Sequence, residues 1–127
     1  MTENELARIV VDSAYKIHTQ LGPGLLESAY QAILVYELRK RGLRVETEVL
    51  MPVKYEEILV DIGFRADIVV EDLVILELKS VESVADVHKK QLLTYLKSSK
   101  KKLGLLLNFG APYIRQGITR IVNGLDY

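Results

Sequence analysis

The chain has no cysteine in its 127 residues, which excludes disulfides, thiolate metal sites and cysteine nucleophiles. It has only two histidines, His18 and His88, too few to suggest a His-rich zinc centre. No apolar run approaches the ~20 residues of a membrane-spanning helix, so no membrane partner is expected. The opening MTENELARIVVDS is acidic and polar, unlike a secretory signal with its basic start and apolar middle. A cytoplasmic protein is the expectation. There is no tryptophan, no internal repeat and no low-complexity linker, and a lysine run stands at Lys100-Lys101-Lys102. What is present is a globular composition, 49% hydrophobic and 27% charged, outside the disordered class. The length suits one compact domain, residues 1–127, able to bury roughly two-thirds of its unfolded surface without staples.

The net charge is zero, and that average hides an asymmetry. Residues 1–80 hold 9 Lys+Arg against 14 Asp+Glu, a balance of −5, and residues 81–127 hold 8 against 3, a balance of +5. The split fits a metal site beside an anion-binding surface, and it equally fits ordinary scatter of charge.

Periodicity gives the elements. Leu6, Ile9, Val10, Ala14, Ile17 and Leu21 recur at steps of three and four, predicting a helix over 4–20 capped by Asn4 or Thr2 and stopped by Gly22-Pro23-Gly24. A second helix is expected from about Leu25 to Arg41. Arg39, Lys40 and Arg41 suit its negative end, and Gly42 suits a left-handed cap. Residues 43–55 then alternate, with Val45, Thr47, Val49 and Met51 on one side of a strand. Pro52 suggests an edge or a bulge. Ile58 to Val70 reads as a second strand with a bulge at Gly63, and 73–81 as a third, so apolar that both of its faces are covered. Helical spacing returns over 83–99, a short apolar strand runs from Leu103 to Phe109, and Ile114 to Val122 reads as a last strand. The order α-α-β-β-β-α-β-β implies an α/β fold with a mixed central sheet flanked by helices.

The chemistry concentrates between Phe64 and Lys79. Glu77 and Lys79 are two apart on an apolar strand, so they share a face. Charges placed there are costly unless paired or metal-bound. Hairpin register decides whether Asp67 joins them. A three-residue turn at Glu71-Asp72-Leu73 sets Val70 against Val74 and Asp67 against Glu77, whereas a two-residue turn puts Asp67 on the other face. Two carboxylates on adjacent strands suit Mg²⁺ or Mn²⁺, which take oxygen ligands and keep waters. A nearby lysine can orient or deprotonate the attacking water and stabilise charge on phosphorus. By itself the E-x-K triplet is a weak signal, equally explained by an ion pair at a strand edge.

Asp67 followed ten positions later by Glu77-Leu78-Lys79 resembles the PD-(D/E)xK nuclease superfamily, with Ala66 standing where the signature has proline. Gly24-Leu-Leu-Glu27-Ser-Ala-Tyr30 is similar to the motif of the GxxExxY protein family within that superfamily, and the likeness covers nearly the whole chain. Gln91-Leu-Leu-Thr-Tyr95 resembles the Q-x-x-x-Y motif of the superfamily's exonuclease-like branch. The resemblance implies a restriction-endonuclease-like fold and metal-dependent hydrolysis of phosphodiesters in nucleic acid, with DNA as the expected partner. It implies that Asp67 and Glu77 bind the metal, that Lys79 serves the hydrolytic step, and that Glu27 adds a further carboxylate. Gln91 and Tyr95, which share a helix face at i and i+4, would help position substrate. Tyr30 shares a face with Glu27 and is a further candidate for substrate binding. Lys89 and Lys90, with the later lysines, are candidates for phosphate contact. His18 and His88 are read as ordinary core or surface histidines. Two further readings stand beside the enzyme: a catalytically weak or inactive module on the nuclease fold that binds nucleic acid or protein, and an assembly role. A homodimer is compatible with each, because so short a chain has little room for an arm that grips substrate.

Overall fold

Thr2 starts the first helix. Its hydroxyl accepts the Glu5 N–H while its own N–H donates to the Glu5 carboxylate, the reciprocal arrangement that satisfies two helix-end donors. Thr2, and not Asn4, is therefore the cap. The computed structural model describes residues 1–125, apart from the side chain of Ile62. Helix α1 spans Glu3–Leu21 and α2 spans Glu27–Lys40. Leu25 and Leu26 stay outside α2, because Leu26 is extended at its N-cap. At the other end Gly42 has φ +89°. Its N–H donates to Arg39 O and that of Leu43 to Leu38 O, the paired bonds of a glycine-terminated helix.

Five strands follow the order β1 (Val45–Tyr55), β2 (Ile58–Val70), β3 (Val74–Lys79), β4 (Leu103–Asn108) and β5 (Ile118–Val122). All neighbours are antiparallel except β3 and β4, which are parallel. Helix α3 (Asp86–Ser99) makes the crossover between those two. The sheet is mixed and flanked by helices, as the alternation implied. One expected element differs: Ile114–Gly117 is a helical turn, α4, before β5. The chain must bend sharply past the end of β4 there, since a Cβ on Gly117 would sit 2.2 Å from Asn108 O.

Alternate residues of β3 enter two different cores. Val74, Leu76 and Leu78 join α1 and α2 in one, and Ile75 joins α3 in the other. The strand is covered on both sides, as its unbroken apolar run suggested. In β2 the alternation reverses. Phe64 and Ala66 belong to the α3 side, yet Ile68 and Val70 belong to the α1–α2 side. The pleat therefore changes hand at Asp67. In β1 the same reversal separates Val45 from Val49, Met51 and Val53, so the expectation that Val45, Val49 and Met51 share a face is corrected. The cause is Glu48, whose φ of +50° breaks the extended backbone. The ladder runs Thr47↔Ile68 and then Val49↔Ala66, which sets Glu48 and Asp67 at one rung. Further out the register shifts between Met51 and Val53. Gly63 lies at that irregularity, where a Cβ would come within 2.3 Å of Met51 O. Pro52 is thus both on the edge strand and beside a bulge. No helix among the described residues is long and apolar enough to cross a membrane.

Candidate active site

The β2–β3 turn has the odd residue count. Val70 faces Val74, Leu73 N–H donates to Val70 O, and Glu71 and Asp72 are both left-handed, with φ of +51° and +56°. The loop is thus three residues, Glu71-Asp72-Leu73, in which two left-handed residues make the tight turn and Leu73 is the extra one. The backbone ladder continues to Ile68↔Leu76. At the next rung side chains take over. Leu78 N–H donates to Asp67 Oδ2 at 2.8 Å, and Asp67 N–H reaches Glu77 Oε1 at 3.4 Å. The strands part where β2 reverses its pleat, and the two carboxyl groups occupy the gap.

Glu77 and Lys79 alternate with Leu76 and Leu78, so they lie on the α3 side with Ile75. Glu27, the first residue of α2, approaches from the other direction. Burial raises its pKa, the Lys79 ammonium opposes that rise, and Asp67 adds to it. Asp67 is also raised, by burial first, against the pull of the Leu78 N–H, the Glu77 hydrogen bond and Lys79. Glu77 is pushed up to about 8, by burial and then by the charge of Asp67 beside it. Two half-buried carboxylates this close resist joint ionisation, so one keeps a proton unless a cation replaces it. Among the described residues Lys79 makes no ion pair within 4.0 Å; its charge acts on the group at longer range.

Tyr95 arrives from α3 with its ring stacked on Phe64, centroids 3.9 Å apart. Burial raises the Tyr95 pKa, and the charges of Glu77 and Asp67 raise it further, which places its hydroxyl in their field. Gln91 is one turn earlier and exposed, Lys89 is half-buried, and Lys90 is exposed. Tyr30 is not at this site. It is fully buried and stacked on Phe109 at 4.5 Å. Its hydroxyl donates to Gly22 O and accepts the Leu25 N–H, so it braces the Gly22–Leu26 loop from inside the core. His18 is buried with Nε2 at 2.8 Å from Ala111 O, a structural histidine. His88 lies within electrostatic reach of Glu27.

Three polar residues that the motif reading passed over complete the surroundings. Gln31 donates to Glu48 Oε1 at 3.0 Å and to Asp67 O at 3.4 Å, tying α2 to the reversed rung. It is four residues after Glu27, so the same spacing used for Gln91 and Tyr95 would have found it. Glu48 has no such signal, because its place depends on strand register. Asn108 is buried at the end of β4, where Oδ1 accepts the Val81 and Gly110 N–H groups and Nδ2 donates to Val81 O. It fixes the segment that leaves Lys79.

Among the described residues no three or more His, Asp or Glu side chains come together as a group that could hold a metal ion. A desolvated pair of carboxylates fits Mg²⁺ or Mn²⁺ better than a dedicated cage, since these ions keep waters and use one or two protein carboxylates. A family model for the PD-(D/E)XK nuclease superfamily matches residues 4–121. The chain belongs to that superfamily. No curated protein and no solved structure matches it. Asp67, Glu77 and Lys79 are the residues expected to supply its signature, with Ala66 where proline was expected. Ala66 is fully buried on the α3 side. Membership points to a nuclease-like function, and nucleases of the superfamily typically use divalent metals.

Proposed function

We propose that the chain is a metal-dependent nuclease that hydrolyses phosphodiesters, with DNA as its substrate. The supporting observation is the Asp67–Glu77 pair at the parted rung, with Lys79 on the same strand face. One oxygen of each carboxylate takes a backbone N–H, which fixes its orientation and leaves the other to face a cation. Mg²⁺ or Mn²⁺ at this pair would supply Lewis acidity toward the phosphate and lower the pKa of a bound water. Glu27 adds negative charge from α2, as a third ligand or through water. Lys79 orients the attacking water and stabilises charge that develops on phosphorus. Gln91 and Tyr95 hold substrate on the α3 side, and Lys89 and Lys90 meet flanking phosphates. Gly24, Glu27 and Tyr30 supply the narrower likeness to the GxxExxY family, with Tyr30 in a bracing role. The remaining reading, a binding module without turnover, keeps the same surface and drops the hydrolytic step.

The test is cleavage of labelled linear, circular, branched and single-stranded DNA and RNA with Mg²⁺, Mn²⁺ or chelator. Products that need metal and fall by about a hundredfold or more in Asp67→Asn and Lys79→Ala are expected, the size seen when one transition-state stabiliser is lost. Normal metal binding without products would favour the binding module.

A further inference from the structure

Away from the carboxylate pair, a cleft of about 270 Å³ combines aromatic rings, a cation and a buried imidazole. Tyr15, His18 and Thr19 of α1 line one wall, at the i, i+3 and i+4 spacing of a single helix face, and Tyr113, Arg115 and Gln116 line the other. His18 is only 9% exposed. Its Nε2 lies 2.8 Å from Ala111 O. A carbonyl only accepts, so Nε2 carries the hydrogen, and in the neutral ring Nδ1 is left as an acceptor. Among the described residues Nδ1 has no hydrogen-bond partner, and it is not sealed from solvent. The small open part of this imidazole therefore looks into the cleft as an unpartnered acceptor. Tyr15 and Tyr113 are 40% and 68% exposed, and neither stacks on another ring among the described residues. Arg115 is exposed and makes no ion pair within 4.0 Å among those residues. The cleft opens at the end of the sheet that carries the site. β3 and β4 are parallel, so the segments after Lys79 and after Asn108 leave from the same end, which is where open α/β sheets take ligands. His18 O accepts the Gly22 N–H, and Leu25 O accepts from the Ser80 hydroxyl. The loop between α1 and α2 thus runs from the cleft to the residue after Lys79.

We propose that this cleft is a nucleotide pocket, taking a nucleobase that bears an exocyclic amino group together with its phosphate. The tyrosine rings offer apolar faces on which a base stacks. The amino group donates to His18 Nδ1, and Thr19 and Gln116 meet the rest of the base edge with groups that both give and take hydrogen bonds. Arg115 pairs with the phosphate. The volume is at the small end for ligand pockets, which suits one heterocycle and excludes a duplex. Adenine and cytosine carry the required amine, whereas thymine presents a carbonyl oxygen at that place, and a carbonyl cannot answer the Nδ1 lone pair. The same chemistry comes from a free mononucleotide or from an unpaired terminal nucleotide of a strand held at the carboxylate pair. Only the second source rests on the nuclease reading.

The test is titration calorimetry of the full chain, with chelator present so that neither metal nor cleavage enters. The probes are dCMP, dAMP, dTMP and inorganic phosphate, and single-stranded oligothymidylate with and without a terminal dC. Binding of dCMP or dAMP is expected, at least tenfold tighter than that of dTMP or phosphate. Tyr113→Ala and Arg115→Ala should each weaken it about tenfold, the lower range for loss of a stacking ring. Both side chains are exposed, so far-UV circular dichroism should not change. A dC-ended oligonucleotide that displaces dCMP and exceeds oligothymidylate in affinity would assign the pocket to a strand end; one that leaves dCMP bound would assign it to the free nucleotide. Three results overturn the proposal: no binding of dCMP, dAMP or the dC-ended strand, equal affinity for dCMP and dTMP, or wild-type affinity in either folded variant.

Discussion

Glu77 ties the site to pH. Its carboxyl holds a proton up to about 8, against an ordinary value of 4.5. The folded chain therefore binds that proton more tightly than the unfolded chain, and the stabilisation is fully present below pH 4.5 and lost as pH rises through about 8. With chelator present, the thermal midpoint should fall across that window, and the fall should be smaller in Glu77→Gln. A profile unchanged by this substitution would remove Glu77 as the proton holder. Tyr30 makes a second point about single residues. Its spacing from Glu27 put it on the same helix face, but spacing does not say which of the two meets solvent and which the core. Tyr30→Phe should cost about 1–2 kcal/mol in urea unfolding, because the Gly22 carbonyl and Leu25 N–H lose their partner. Cleavage at low temperature should be retained; a variant of native stability with weakened substrate binding would restore Tyr30 to the site. The pair Glu77 and Lys79 was legible from period two alone, since both had to share a face. Glu48 was not, because nothing local announces a left-handed residue at a strand position that most sequences fill with extended backbone.

Helices α1 and α2 are joined by charge as well as by their apolar faces. The Glu37 side chain is only 8% exposed and accepts from Arg41 Nε at 2.8 Å and Lys16 Nζ at 3.2 Å. Arg41 also reaches Asp12 on α1. The Arg41 hydrogen bond, followed by Lys16, holds the Glu37 carboxyl below the usual carboxylate range. Its contribution therefore has the opposite sign to that of Glu77: present near neutrality and lost as pH falls. Glu37→Gln should lower stability at neutral pH by about 1–3 kcal/mol, since it weakens charge-assisted bonds to partners that stay behind. Equal unfolding midpoints for the two proteins in urea would refute that. Helix boundaries were readable because caps and glycines are local chemistry: Thr2 with Glu5 at one start, Gly42 at one end. The stretch from Ile114 was misread as all strand. Its first four residues form a turn because of Gly117 and the carbonyl of Asn108, a contact between segments far apart in the chain.

The acidic and basic halves of the chain do not form separate bodies. Asp67, Glu77 and Glu27 come from the acidic half, while α3, with Lys89, Lys90 and Lys97, comes from the basic half and covers the same side of the sheet as Glu77. If these lysines meet phosphates, binding of a DNA fragment should weaken steeply with salt. Lys89→Ala/Lys90→Ala should then flatten the slope of log affinity against log salt by about one to two, one phosphate contact per lysine. An unchanged slope would assign these residues to solvent. The lysine run at 100–102 is less free than its charge suggests, because Lys101 donates to both the backbone and the carboxylate of Asp72 in the β2–β3 turn. The element order and the mixed sheet were legible because alternation, helical period and crossover length agreed. The opposing faces of β1 were not, because the pleat reversal is a property of two paired strands.

That reversal also says something about robustness. A β1–β2–β3 sheet with unbroken alternation would carry its ladder straight through Asp67 and Glu77, and backbone pairing would consume the two N–H groups that now hold carboxylates. Substitutions that favour regular strand at Glu48, such as valine or isoleucine, should therefore be gains for the sheet and losses for the site. In this chain the place for chemistry is an interruption that ordinary strand propensity would close.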